Sequence, residues 1–192
     1  MRMCLAVLTT MLLAAGCGAT IEVKGALPAH RMKIAVLDFS DAGAYKAMRD
    51  YSVAGATGSE HPDTKVAQAV RRALAKCPDY DVISWLDMRR TLKADKEVRA
   101  ASDADAIALG KKLGVEGVVV GEVRKYKQSW APLLVGWASV AFTARCIEVV
   151  SGKELWSARV QDRRSGAIEE DLAADLSRRL CEQLRINTAR RP

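Results

Sequence analysis

Aromatic residues make up only 5% of this 192-residue chain, and histidine occurs twice, as His30 and His61. Both histidines fall where no hydrophobic period runs, His61 in a glycine-rich stretch, so each is expected as a solvated loop residue. No G-x-S-x-G, Walker A, G-x-G-x-x-G or H-E-x-x-H pattern occurs. The turns that expose a nucleophile, cradle a phosphate or present two imidazoles to zinc are therefore missing. No C-x-x-C or mixed Cys/His spacing is present, and none of the five cysteines falls into a metal pattern. No catalytic residue, metal or cofactor is expected, and an enzyme is not the reading. Glu169, Glu170 and Asp171 are an acidic helix start, which the helix dipole explains better than paired acid and base chemistry.

What is present is apolar bulk in aliphatic form. The hydrophobic share is 49%, enough for a core. The length suits one domain, and Ala, Val and Leu suit helices packed on a sheet. The net charge is +7, in short clusters such as Arg71-Arg72, Arg163-Arg164 and Arg178-Arg179 that are expected on solvated helix faces.

Residues 1–16 have the plan of a signal peptide. Arg2 supplies the positive start, and Leu5 to Ala15 form an apolar run too short for the ~20 residues of a spanning helix. The run closes on Leu13-Ala14-Ala15-Gly16-Cys17. Small residues before a cysteine are what a lipobox presents, with cleavage between Gly16 and Cys17 and a diacylglycerol on the Cys17 thiol; Ala14 stands where Leu is commonest. Multiple acyl chains give stable anchoring where one would be marginal. Removal of Arg2 takes the charge from +7 to +6. Gly18 replaces the Asp that would hold such a protein in the inner membrane, so the periplasmic face of the outer membrane is expected. Export removes nucleic acid as a partner and leaves the membrane, through its lipid, and an envelope protein. The mature chain keeps Cys77, Cys146 and Cys181, which allow one disulfide at most. Cys77 and Cys146 read as small buried hydrophobes, and no disulfide framework is expected.

Residues 17–31 lack a period and are expected to form a tether of about 14 residues, reaching at most ~45 to 50 Å. One domain is expected over 32–186, and a basic tail over 187–192. Lys33 to Phe39 is a strand buried on both faces. A long loop follows over 40–62, then a helix to about Lys76 with Val66, Val70, Leu74 and Cys77 on one face. Tyr80–Ser84 is a short strand and Trp85–Lys93 a short helix. Ser102 caps a helix that Gly114 ends. Gly117–Val123 is a strand, Arg124–Pro132 a connection, and Gly136–Val150 with Glu154–Asp162 a hairpin. A last helix over 167–184 carries the row Ile168, Leu172, Leu176, Leu180 and Leu184. The fold class is α/β (α+β): a three-layer-like, mixed five-stranded sheet with packed helices in the order β-α-β-α-α-β-β-β-α.

Three stretches in this order, Ile34-Ala35-Val36-Leu37-Asp38-Phe39, Leu109 to Val123 with Gly110, Gly114, Gly117 and Gly121, and Ile147 to Trp156 with Ser151-Gly152-Lys153, resemble the curli-secretion (CsgG-like) lipoprotein family. They also resemble its relatives, the LpoB-type activators of peptidoglycan synthases and the TolB N-terminal domain. The resemblance covers roughly residues 32–185. It implies a non-catalytic, lipid-anchored scaffold or accessory of an outer-membrane assembly or secretion system, with an envelope protein partner and scope for a homo-oligomer. Activation of a peptidoglycan synthase (a penicillin-binding protein) is the alternative, and a basic module binding envelope polyanions a third. Arg124 to Trp137 leaves no room for the long membrane hairpins of the curli pore. Candidate partner contacts are Tyr45 and Tyr51 in the long loop and Trp130 and Trp137 flanking an apolar turn; the bland alternative for these tryptophans is hairpin core. Asp38, at the carboxyl end of the first strand, lies where α/β folds place function, though its counterpart in the family is structural.

Overall fold

The computed structural model describes residues 18–42, 61–94, 97–130 and 136–189. In chain order the elements are β1 (Thr20–Gly25), β2 (Met32–Val36), β3 (Ser40–Asp41), α1 (Pro62–Leu74), β4 (Tyr80–Val82), α2 (Trp85–Leu92), α3 (Asp103–Leu113), β5 (Gly117–Trp130), β6 (Gly136–Glu148), β7 (Glu154–Ser165) and α4 (Glu169–Ala189). The strands form one mixed sheet, ordered β1-β7-β6-β5-β2-β4, with β3 beside the far part of β5. β2 is parallel to β4 and β5, and β5, β6, β7 and β1 run antiparallel in turn.

The class is as expected, but seven strands replace five. Thr20–Gly25, expected in the tether, is instead β1, bonded along β7 from Thr20 opposite Gln161 to Gly25 opposite Trp156. Arg124–Trp130, expected as a connection, continues β5. Its hydrophilic residues are tolerated because one face of this part of the sheet is open, while Tyr126 fills the other. A register shift between Val123 and Lys125 breaks the alternation that would have announced the strand. The last helix starts at Glu169 and runs to Ala189. Ile168 therefore drops out of the buried leucine row and is exposed, whereas Leu172, Leu176, Leu180 and Leu184 are fully buried. Arg178 and Arg179 lie mid-helix rather than at its end, so an acidic partner, not the helix dipole, accounts for them: both pair with Asp175. The residues expected as a basic tail begin inside α4, where the Asn187 side-chain amide donates to the Gly25 carbonyl (2.7 Å) and Thr188 Oγ1 accepts from Leu27 N–H (2.8 Å).

Two of the helices are capped by a serine. Ser102 Oγ accepts from Asp105 N–H at the start of α3, and Gly114, at φ +62°, ends it. Ser84 does the same for α2 through Asp87 N–H. α1 begins on Pro62 with no side-chain cap; Asp63 accepts from the neighbouring Thr64 N–H.

α1 and α4 lie on one face of the sheet, where Val66, Val70, Leu74 and the α4 leucines meet Phe39, Val119, Phe142, Cys146, Trp156 and Val160. α2 and α3 lie on the other, over Ala35, Leu37, Val118 and Ile147. Gly121 permits the closest approach in this core: a methyl there would collide with the Phe39 ring and the Thr143 carbonyl. Trp156 Nε1–H donates to Tyr80 Oη at 2.7 Å, so the largest buried residue is hydrogen-bonded. The second face is roofed only at one end. Beyond α3 it is bare, and the outward residues of β7, Arg159, Gln161 and Arg163, are exposed.

Candidate functional site

Gly16, Cys17, Tyr45 and Tyr51 lie outside the described residues, but the chain geometry after Cys17 is set by β1. Thr20 is bonded opposite Gln161, and two residues, Gly18 and Ala19, separate it from Cys17, a span of at most ~11 Å. The tether expected at about 14 residues is thereby cut to two, Gly18 and Ala19. Because β1 runs antiparallel to β7, the chain before Thr20 leaves toward Arg163 and Ser165. At that same end β6 begins with Gly136 paired to Trp130 and Trp137 paired to Ser129 and Ser165. The register thus places Trp130 and Trp137 on neighbouring strands. Trp137 is half-buried, with the Arg163 guanidinium 4.5 Å from its ring centroid. Such a stack holds an aromatic body and a cation together at a boundary between apolar and wet surroundings.

Between this end and α3, the bare face forms a concave surface of about 560 Å³ walled by Ser102 and Asp103 and floored by Thr143, Arg145, Glu122 and Arg159. Arg145 is held by both carboxylate oxygens of Asp103, which raises its guanidinium pKa. Glu122 pairs with Arg124 at 3.2 Å. The surface is mixed in sign, with Glu22, Lys24, Arg99, Glu122, Arg145 and Arg159 among small residues such as Ala100, Ser157 and Ala158.

Asp38 serves structure. It is 3% exposed; its Oδ2 accepts from Val98 N–H at 2.8 Å, its own N–H donates to the Val98 carbonyl, and Arg71 stands 3.6 Å from Oδ1. Arg71 also donates to the Val36 carbonyl at 2.7 Å. Burial lowers the Arg71 pKa, and Asp38 partly restores it. The strap around Val98 is thus clamped over the end of β2. Outside it, His61, Asp63 and Glu97 bring donor atoms within 4.8 Å of one another, but Arg99 already pairs with both carboxylates and takes the place of a cation. His30 is also engaged: its Nε2 lies 3.0 Å from Glu116, whose carboxyl is held below its ordinary range by that contact and by the Lys33 N–H.

Cys77 and Cys181 form a disulfide. This corrects the reading of Cys77 as a mere buried hydrophobe; the odd count of three allowed one bridge, and only the docking of α4 beside α1 shows which. Among the described residues Cys146 is the remaining thiol, fully buried, with its pKa pushed up to about 12 by burial and then by Glu148. Among the described residues no helix is long and apolar enough to cross a membrane.

No protein-family model and no curated protein matches the sequence. Solved structures do. PelC from Paraburkholderia phytofirmans, crystallised as a dodecamer, matches with a TM-score of 0.56 and 17% identity over 85% of this chain and 95% of that one. Lipoprotein GNA1162 from Neisseria meningitidis matches with a TM-score of 0.53 and 21% identity over 82% and 99%. The LpoB C-terminal domain from Escherichia coli matches at 0.44 and 13% over 68% and 81%, too distant to carry an argument. At these identities the likeness is one of fold.

Proposed function

We propose that this chain is a non-catalytic lipoprotein of the outer-membrane periplasmic face, lipidated on Cys17, which scaffolds an envelope assembly or secretion system through protein contacts. The observation that carries the reading is the β1–β7 register. It holds Cys17 within three residues of the sheet and at the end where Trp137 and Arg163 stack. A domain tied so closely stands on the leaflet that takes the lipid, with Trp137 at the interface and the basic end toward anionic headgroups. The same short reach counts against the synthase-activator alternative, whose target lies in the opposite membrane. The bare polar face is then free to meet a neighbour. Self-assembly is the first form of scaffold to test, since one protein of like fold was crystallised as a dodecamer. Mass photometry of the full-length lipoprotein in detergent should show a discrete oligomer that Arg159→Glu together with Thr143→Arg dissolves. A strictly monomeric wild type would contradict self-assembly.

A further inference from the structure

A second surface, on the opposite side of the sheet, has the features of a docking groove. α1 and α4 lie side by side and parallel: Lys65 is ion-paired with Glu170 near both N-termini, and Cys77, just past α1, is bonded to Cys181. The two helices therefore keep step over about three turns, ~16 Å at 1.5 Å per residue. Between them runs a groove of about 720 Å³, bounded by the ion pair at one end and the disulfide at the other. Its walls carry Ala69 and Ala73 from α1 and Ala173 and Ala174 from α4, small enough for a third backbone to come close.

Three polar groups of the groove are unspent. Tyr126 lines it from β5, is 1% exposed, and its hydroxyl has no hydrogen-bond partner among the described residues. A buried hydroxyl left unpaired is costly relative to one that is bonded, so a ligand acceptor there recovers a real deficit. The phenol stays protonated, its pKa raised by burial and then by Glu169 and Glu170, and so remains a donor. On the rim, Arg72 and Lys76 have no ion-pair partner among the described residues, whereas Lys65 is paired with Glu170, and Arg178 with Asp175 and Glu182. Arg72 stands on the last turn of α1 and Lys76 in the turn just past its end, and both line the same groove.

We infer that the α1–α4 groove docks an amphipathic helix of a protein partner, its small apolar face on Ala69, Ala73 and Ala174 and two carboxylates four residues apart against Arg72 and Lys76. A helix laid between two others presents that spacing naturally. The inference rests on the scaffold reading only in taking the partner to be a protein, and it is independent of the lipid.

The test uses the full chain in detergent and, as probe, a fluorescein-labelled, hydrocarbon-stapled amphipathic helix with glutamates four residues apart; binding is read by anisotropy. Arg72→Glu with Lys76→Glu should weaken it by about tenfold or more. Tyr126→Phe should weaken it by roughly threefold. Ala69→Trp, which fills the groove, should abolish it. Lys24→Glu with Arg159→Glu, the same charge change on the bare sheet face, should leave it intact, and so should Cys17→Ser. The proposal is overturned by any of four results: no binding to the wild type, equal binding of a shuffled peptide of the same charge, equal loss from the two double charge reversals, or indifference to Ala69→Trp. Self-association that Ala69→Trp removes would put a second copy in the groove and overturn it too. Absence of the lipid from the wild-type chain, with peptide binding retained, would sink the anchor and spare the groove.

Discussion

The two faces of the sheet are made by the same strands, residue by alternate residue, yet they do different work. On β6 the positions Ala138, Val140, Phe142, Ala144 and Cys146 turn to α1 and α4 and are buried. Their neighbours Trp137, Ala141, Thr143 and Arg145 stay part-exposed. On β7 Trp156, Ala158 and Val160 are buried, while Arg159, Gln161 and Arg163 are open to solvent. One face has a continuous roof and the other is roofed only where α3 reaches. Antiparallel strands can afford a wet face, so the half-roof costs the fold little. The comparison teaches that stability is concentrated under α1 and α4, leaving the bare face free to be specified by contacts with other molecules.

That contrast can be broken by substitution. The largest effect is expected at Arg71→Ala, which strands Asp38 as a buried charge and removes the Val36 contact; urea unfolding should show a loss of about 3 to 5 kcal/mol. Removing the α1–α4 tie with Cys77→Ala and Cys181→Ala opens a loop with a sequence separation of 104 and should cost about 2 to 4 kcal/mol. Gly121→Ala should cost about 1 to 3 kcal/mol, because the added methyl meets the Phe39 ring and the Thr143 carbonyl. On the bare face, Thr143→Ala and Arg159→Ala should each stay within about 0.5 kcal/mol. If they instead match the core variants, the contrast between the faces fails.

The smallest effect is a pH dependence at the clasp between β7 and α4. Burial raises the Asp175 pKa, but Arg164 and then Arg178 and Arg179 outweigh it and leave it below the ordinary value. A carboxylate depressed in the folded state adds stability above its unfolded pKa, and that stability is lost as pH falls from about 4 toward the folded value. With the arginines well exposed, less than about 1 kcal/mol is at stake. Asp175→Asn should flatten the acid limb of the stability curve, and an unchanged limb would remove Asp175 from the account.

Elements with local signals were legible in the sequence. β2 shows as one apolar run, α3 is framed by Ser102 and Gly114, and the β6–β7 hairpin is marked by Ser151-Gly152-Lys153. Elements decided by their neighbours were not. β1 is a six-residue edge strand whose Ile21 and Val23 become apolar contacts only once α4 packs behind them. The second half of β5 looks like a basic linker because Tyr126 alone marks its inner face and the register shift precedes it. Of the candidate contacts, the register sets Trp130 opposite Gly136 and Trp137 opposite Ser129, on adjacent strands. The groove could not be read, since α1 and α4 meet only in the folded chain and the spare hydroxyl of Tyr126 comes from a third element.

The central claim is that a lipid on Cys17 holds the β1–β7 end of the sheet against the membrane. Metabolic labelling with an alkyne analogue of palmitate tests it most directly. The wild-type chain should take up the label and fractionate with the outer membrane, and Cys17→Ser should lose the label while keeping the fold. Persistence of the label in Cys17→Ser, or its absence from the wild type, would contradict the account.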